Sequence, residues 1–233
     1  ARGQGRTVAF GRREGRLGQR MQKVWDEQYD RLVSDVPRTQ ASLSVAPGFE
    51  FDSAQGFGRV APLVVEIGSG TGDAVVHGAL SRPGSNFLAV EVYATGLAAT
   101  VTKIVQHNLT NVRLVHADAV QVFEHMLQRQ SVAELWIFFA DPWHKNRHHK
   151  RRLVNPAFAE LAASRLAHGG TLRLATDWAD YASQMRDVFA ASDSLTNPFA
   201  GFSPRFEGRA MTRFEEKGLA SGRAIYDLEL RRT

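Results

Sequence analysis

Residues 63–73 read LVVEIGSGTGD. A mostly apolar run, Leu63 to Ile67, passes directly into glycines at alternate positions, Gly68, Gly70 and Gly72, and then into Asp73 and a helix-like segment. A short continuous apolar run ending in glycine is the pattern of a strand buried on both faces. The glycines let the backbone turn sharply and pass close to a ligand without a Cβ clash. A strand, a glycine loop and a helix in that order predict an α/β domain built on a parallel sheet.

The chain on either side repeats the style. NFLAV (86–90), VRLV (112–115), LWIFF (135–139) and TLRLA (171–175) read as further buried strands. Helix-like segments separate them, over Asp73–Leu80, Gly96–His107 and Ala119–Arg129. Asn155-Pro156 is a good cap and first-turn pair for a helix reaching about Leu166. Trp178, Tyr181, Met185 and Val188 share one face of another. Strands alternating with helices imply right-handed βαβ units with helices on both sides of the sheet. Ile225–Leu230 alternates more strongly and is expected as an antiparallel edge strand. Ahead of this pattern, Met21–Leu32 is weakly helical and 46–62, rich in Gly and Pro, reads as a connector. Residues 1–45 are therefore taken as a basic N-terminal extension and 46–233 as the α/β domain.

The 233 residues suit one sizeable domain with an appendage, and the 43% hydrophobic content suffices for an ordinary core. Cysteine is absent, which removes disulfides, thiolate nucleophiles and cysteine-based zinc sites, and no metal site is expected. No apolar run approaches the roughly 18 residues of a membrane helix, and no signal peptide is visible. The chain begins at Ala1 without an initiator Met, which points to upstream residues processed away or left out. Net charge is +5, and its distribution is uneven. Residues 1–20 carry Arg2, Arg6, Arg12, Arg13, Arg16 and Arg20 against the single acid Glu14. A second cluster, Lys145, Arg147, Lys150, Arg151 and Arg152, lies within FADPWHKNRHHKRR (139–152) with His144, His148 and His149. Two such clusters favour a polyanionic partner.

The glycine spacing is G-x-G-x-G, whereas a dinucleotide pyrophosphate calls for G-x-G-x-x-G. Glu66 in the strand would also repel an anion at the following helix N-terminus. A cationic or zwitterionic ligand such as S-adenosylmethionine suits this better than NAD. Glu91 ends the second strand, where a carboxylate can accept both ribose hydroxyls. Asp118, in HADA, can accept from an adenine amino group. Asp141 ends the fourth strand and is restricted by Pro142. On their own, Asp177 reads as a helix N-cap and Arg213 with Glu215 as a surface pair.

EIGSGTGD, VEVYATG, VRLVHADAV, FADPWHKNRHHKRR, ATDWADY and MTRFEEKG, in this order and with FGRREGRLGQR near the N-terminus, resemble bacterial tRNA (guanine-N7)-methyltransferases over nearly the whole chain. The resemblance implies a Rossmann-like S-adenosylmethionine-dependent methyltransferase fold, with a mostly parallel seven-stranded sheet covered by helices on both faces. It implies S-adenosylmethionine as cofactor, held by Glu66, Gly68, Gly70, Glu91, Asp118 and Asp141, and Asp141 as the catalytic residue. Lys145, Asp177, Thr212, Arg213, Phe214 and Glu215 match positions assigned to the RNA substrate. Arg147, His148, His149, Lys150, Arg151 and Arg152 match its RNA-interacting stretch. The implied partner is tRNA methylated at a variable-loop guanosine, in the cytoplasm, with no membrane and with the chain a monomer or homodimer. Alternative readings are a methyltransferase for another RNA or a protein, and a non-catalytic RNA-binding module. The chain departs from the family pattern at Ala140, where Pro is usual, at Ser69 and Thr71, where bulkier apolar residues are usual, and at Tyr93, where His is frequent.

Overall fold

The structure, a computed structural model, describes residues 16–233. Arg2, Arg6, Arg12 and Arg13 lie outside the described residues. The strands are β1 (Leu63–Ile67), β2 (Asn86–Glu91), β3 (Val112–His116), β4 (Val132–Phe138), β5 (Leu166–Thr176), β6 (Leu195–Thr196) and β7 (Tyr226–Arg232). They form one sheet in the order β3-β2-β1-β4-β5-β7-β6. β1 to β5 are parallel, and β7 is antiparallel to both of its neighbours.

The apolar runs are continuous because each strand buries both faces. In β1 and β4, Val65, Ile67, Leu135 and Ile137 face one core while Val64, Trp136 and Phe138 face the other. Helices α1 (Gln19–Leu32), α3 (Asp73–Ser81) and α4 (Ala94–Gln106) cover the second face through Leu32, Val75, Leu97 and Ile104. Helices α2 (Ser53–Phe57), α5 (Ala119–His125), α6 (Pro156–Arg165) and α7 (Ala179–Ala190) cover the first through Phe57, Phe123, Phe158 and Met185. Asn155 caps α6 by accepting from the Phe158 N–H at 3.0 Å, with Pro156 in the first turn, as its sequence predicts.

Three expectations need adjusting. β7 is antiparallel, but it lies between β5 and the two-residue β6 rather than at the edge. Its alternation has a different cause: Leu228 and Leu230 enter the apolar core, whereas Asp227 and Glu229 take ion-pair partners in Arg209 and Arg173. α5 stops at His125, well short of Arg129. Trp178 stands at the N-cap of α7 rather than within the helix.

The described part of the N-terminal segment packs on the sheet. Ser34 N–H donates to Leu114 O at 2.8 Å beside a parallel bridge from Val33 to Leu114, which covers the exposed edge of β3. Val36 and Val45 are buried on the opposite face from Leu32 and Val33, so the chain wraps around that edge. Arg38 then donates to His116 O at 2.6 Å, and Asp118 N–H donates to Leu43 O at 2.9 Å. Residues 38–45 thus brace the carboxyl end of β3. Among the described residues, no helix is long and apolar enough to cross a membrane.

Candidate active site

The strand order reverses direction at β1, with β2 and β3 on one side and β4 and β5 on the other. Open α/β sheets bind ligands outside the carboxyl ends of the strands at such a switch point. A cavity of about 580 Å³ lies there, lined by Gly68 and Gly70 after β1, Glu91 at the end of β2, and Asp118 and Asp141 after β3 and β4. The volume is within the range of small-molecule and cofactor sites, roughly 300–1,000 Å³.

The glycine loop needs its glycines. Gly68, Gly70 and Gly72 take φ of 68°, 54° and 78°, in the left-handed region that other residues avoid. A Cβ on Gly96 would stand 2.5 Å from the Gly70 carbonyl, so the glycine of VEVYATG allows α4 to pack against the loop. Glu91 closes the loop from the other side: one oxygen accepts from Gly70 N–H at 2.7 Å, the other from Val92 and Tyr93 N–H at 2.7 and 3.1 Å. Burial raises the Glu91 pKa, and these backbone donors oppose the rise. At the far end of the loop, Lys103 of α4 donates to Thr71 O at 2.9 Å and pairs with Asp73, which also accepts from Thr71 Oγ1 at 2.9 Å. Thr71, unusual by resemblance, serves as a polar tie here.

Glu66 is only 4% exposed. It accepts from the Val75 N–H in the first turn of α3, and one of its oxygens has no hydrogen-bond partner. Burial pushes its pKa up to about 8, with Glu91 and Asp73 adding to the rise. Asp118 caps α5 by accepting from Gln121 N–H at 3.2 Å while still lining the cavity.

Asp141 is exposed and lines the cavity between two backbone outliers, Phe139 at φ 56° and Trp143 at φ 48°. Left-handed conformations are costly for aromatic residues and are held by their surroundings. Phe139 N–H donates to Ala175 O at 2.8 Å, and the Arg151 guanidinium lies 4.9 Å from the Trp143 ring centroid.

The basic stretch begins with Lys145 and continues as a 3-10 helix, Asn146–Arg151. Lys145 and His148 line the same cavity as Asp141. Lys145, Arg147 and Lys150 are exposed, and His149 stands 3.5 Å from Asp180. Burial and then the charges of Arg147, Arg151, Lys145 and Lys150 hold the His148 imidazole below its ordinary pKa.

Arg152 departs from the expectation of an RNA contact, its side chain being only 2% exposed. It donates to Pro142 O at 2.8 Å, Gln184 Oε1 at 2.7 Å and Asp180 Oδ2 at 2.7 Å, over the ring of Tyr181. Asp177 is not a helix cap; it accepts from Arg223 at 2.7 Å and packs against Gly218. It lines a neighbouring hollow with His144, which also lines the main cavity and leans on Trp178 with ring centroids 4.1 Å apart and planes inclined at 56°. Helix α8 (Arg213–Ala220) is capped by Thr212, which accepts from Glu215 N–H at 3.1 Å. Arg213 is exposed, and Phe214, 52% exposed, lines the main cavity. Glu215 is not part of a surface pair: it is buried and bound to Arg205 and Arg209. The sequence reading missed Lys103, Arg209 and Arg223, whose partners lie on other elements of the fold and leave no local signal.

A family model described as "Putative methyltransferase" matches residues 60–228. A tRNA (guanine-N(7)-)-methyltransferase of Paenarthrobacter aurescens (strain TC1) is 44% identical over 98% of this chain and 92% of its own. One of Cutibacterium acnes (strain DSM 16379 / KPA171202) is 46% identical over 97% of this chain and 83% of its own. Among solved structures, the 16S rRNA methyltransferase KamB aligns with a TM-score of 0.58 at 15% identity, covering 78% of this chain and 94% of that one. At that identity the likeness speaks for the fold, a Rossmann-like sheet of the methyltransferase type.

Proposed function

The chain belongs to the tRNA (guanine-N(7)-)-methyltransferase family, and we propose that it transfers a methyl group from S-adenosylmethionine to N7 of a variable-loop guanosine in tRNA, leaving 7-methylguanosine and S-adenosylhomocysteine. The observation that carries this reading is the shared cavity: the glycine loop, Glu91 and Asp118 line it together with Asp141, Lys145 and His148.

The residues present fit the cofactor. Glycines in left-handed conformations bring the backbone close, and Glu91 and Asp118 offer carboxylates for hydroxyl and amino donors, whereas Glu66 lies buried behind the loop and does not line the cavity. S-adenosylmethionine, when bound, supplies an electrophilic sulfonium methyl. Guanine N7 carries an in-plane lone pair that is unprotonated at neutral pH, so no general base is required. The protein's work is alignment and electrostatics. Asp141 accepts hydrogen bonds from the guanine N1–H and amino group and faces the positive charge that develops on the ring. Phe214 or Trp143 provides a stacking face for the base, which must be extruded from its stack at a cost of a few kcal/mol.

Lys145, Arg147 and Lys150 face the phosphate backbone, and the N-terminal arginines extend that grip to the tRNA body. Such contacts give salt-dependent affinity independent of sequence, while folded RNA is read largely by shape. A tRNA substrate puts the activity in the cytoplasm. The test is incubation with labelled S-adenosylmethionine and unmodified tRNA, followed by aniline cleavage, which cuts at 7-methylguanosine. Label without aniline-sensitive sites would turn the reading toward another position or another substrate.

A further inference from the structure

Glu215 lies in the segment expected to touch RNA, yet its carboxylate turns inward to a cation with no access to solvent. The Arg209 side chain is 0% exposed. It pairs with Glu215 at 2.5 Å and grips both oxygens of Asp227 at 2.9 Å. Arg205 adds a second hold on Glu215 at 2.9 and 3.2 Å, so two buried carboxylates meet two guanidinium groups. Such a balanced cluster avoids the cost of an unpaired buried charge. Glu215 occupies the third position of α8, from which a glutamate ordinarily reaches back to the cap residue's own N–H. Here it anchors the first turn of the helix to β7 through Arg209 and Asp227.

The same guanidinium reaches the other wall of the site. Its Cζ lies 5.4 Å from the ring centroid of Phe139 and 5.5 Å from that of Phe138. Phe139 lines the cavity, holds a left-handed backbone at φ 56° and directly precedes Ala140-Asp141. Phe214 follows Arg213 at the start of α8 and lines the cavity from the opposite element. One buried arginine therefore touches the ring that seats the Asp141 loop and the carboxylate that seats the Phe214 helix.

We propose that Arg209 is a positioning residue for methyl transfer, fixing the Asp141 loop against α8 so that the carboxylate and the stacking face meet the guanine together. The proposal rests on the tRNA methylation reading. Arg209 touches neither cofactor nor base; it acts through Phe139 and Glu215. The glycine loop, Glu91 and Asp118 come from other elements, so most of the cofactor's contacts do not pass through Arg209, and turnover depends on it far more than cofactor affinity does. Misplacement by about 1 Å can cost on the order of 100-fold in rate.

The test compares wild type, Arg209→Lys and Arg209→Met for kcat at saturating tRNA and for Kd of S-adenosylmethionine by calorimetry. Arg209→Lys keeps the charge but loses the bidentate fork. The expected result is a fall in kcat of about 10–100-fold for Arg209→Lys and more for Arg209→Met, with the cofactor Kd within about twofold of wild type. If Arg209→Lys fails to fold, as judged by circular dichroism and the absence of a cooperative thermal transition, Glu215→Gln replaces it. That variant leaves Arg209 paired with Asp227, and the same loss of kcat alone is expected. Wild-type kcat in a folded variant, or a rate loss matched by equal loss of cofactor affinity, would overturn the proposal. Wild-type protein that leaves N7 unmethylated would instead overturn the function on which it rests.

Discussion

The Arg152 guanidinium donates to the carbonyl oxygen of Pro142 at 2.8 Å, tying the end of the basic stretch to the loop that carries Asp141. In sequence Arg152 looks like one more phosphate contact. In the fold it is the buried post on which that loop rests, so its loss has a different signature from the loss of a surface cation. Arg152→Met is expected to lower stability by about 1–3 kcal/mol, because the partners it satisfied lose their donor. Thermal denaturation checks the stability. The salt slope of tRNA binding checks the role, and it should stay at the wild-type value.

Lys145, Arg147 and Lys150 are the contrasting set, all exposed along the same segment. Replacing all of them by alanine should leave the melting temperature nearly unchanged. The log–log dependence of tRNA affinity on salt should flatten by about 0.7–0.9 for each phosphate the variant no longer neutralises. Titrations at several salt concentrations measure this, and an unchanged slope would remove the segment from the interface.

Glu66 makes a pH prediction. Burial raises its carboxyl from the ordinary 4.5 to about 8, so the folded protein disfavours the charged form. The contribution of the neutral acid to stability is full below about 4.5 and is lost as pH rises through about 8. Glu66→Gln stays neutral throughout. Without cofactor, denaturant midpoints of the wild type should fall relative to those of Glu66→Gln across that interval, and parallel profiles would mean that Glu66 titrates alike in the folded and unfolded states.

Glu91 holds the glycine loop through Gly70 N–H and its own strand end through Val92 and Tyr93 N–H. Glu91→Ala frees all of these donors at once. The expected result is a rise of about tenfold or more in the Kd for S-adenosylmethionine, with stability lower by about 1–3 kcal/mol. Cofactor titration by calorimetry, beside a denaturation curve, separates the two effects.

The parts of the molecule legible in sequence are those with local signals. LVVEIGSGTGD announces a doubly buried strand and a ligand loop because hydrophobic run length and glycine placement are themselves the physics of β1 and its turn. Asn155-Pro156 announces the start of α6 for the same reason. The misreadings share a cause, since each residue's role is set by a partner outside its own helix or strand. Arg152 is buried because Asp180 and Gln184 lie behind it. Glu215 turns inward because Arg209 and Arg205 are there to receive it. The alternation of β7 looks solvent-facing because Asp227 and Glu229 are charged, and the arginines that cover them come from elsewhere. Ala140 packs half-buried against the core, and nothing in the structure explains why it stands where Pro is usual.

We propose that Asp141, which lines the cavity together with the glycine loop and Lys145, carries methyl transfer to guanine N7. The most direct measurement is single-turnover transfer of labelled methyl from S-adenosylmethionine to unmodified tRNA by wild type and Asp141→Ala, read out as aniline-sensitive 7-methylguanosine. Wild type should form 7-methylguanosine at one position. Asp141→Ala should form almost none, while keeping its fold and most of its tRNA binding. Turnover by Asp141→Ala near the wild-type rate, or wild-type product methylated elsewhere than N7, would remove Asp141 from that role.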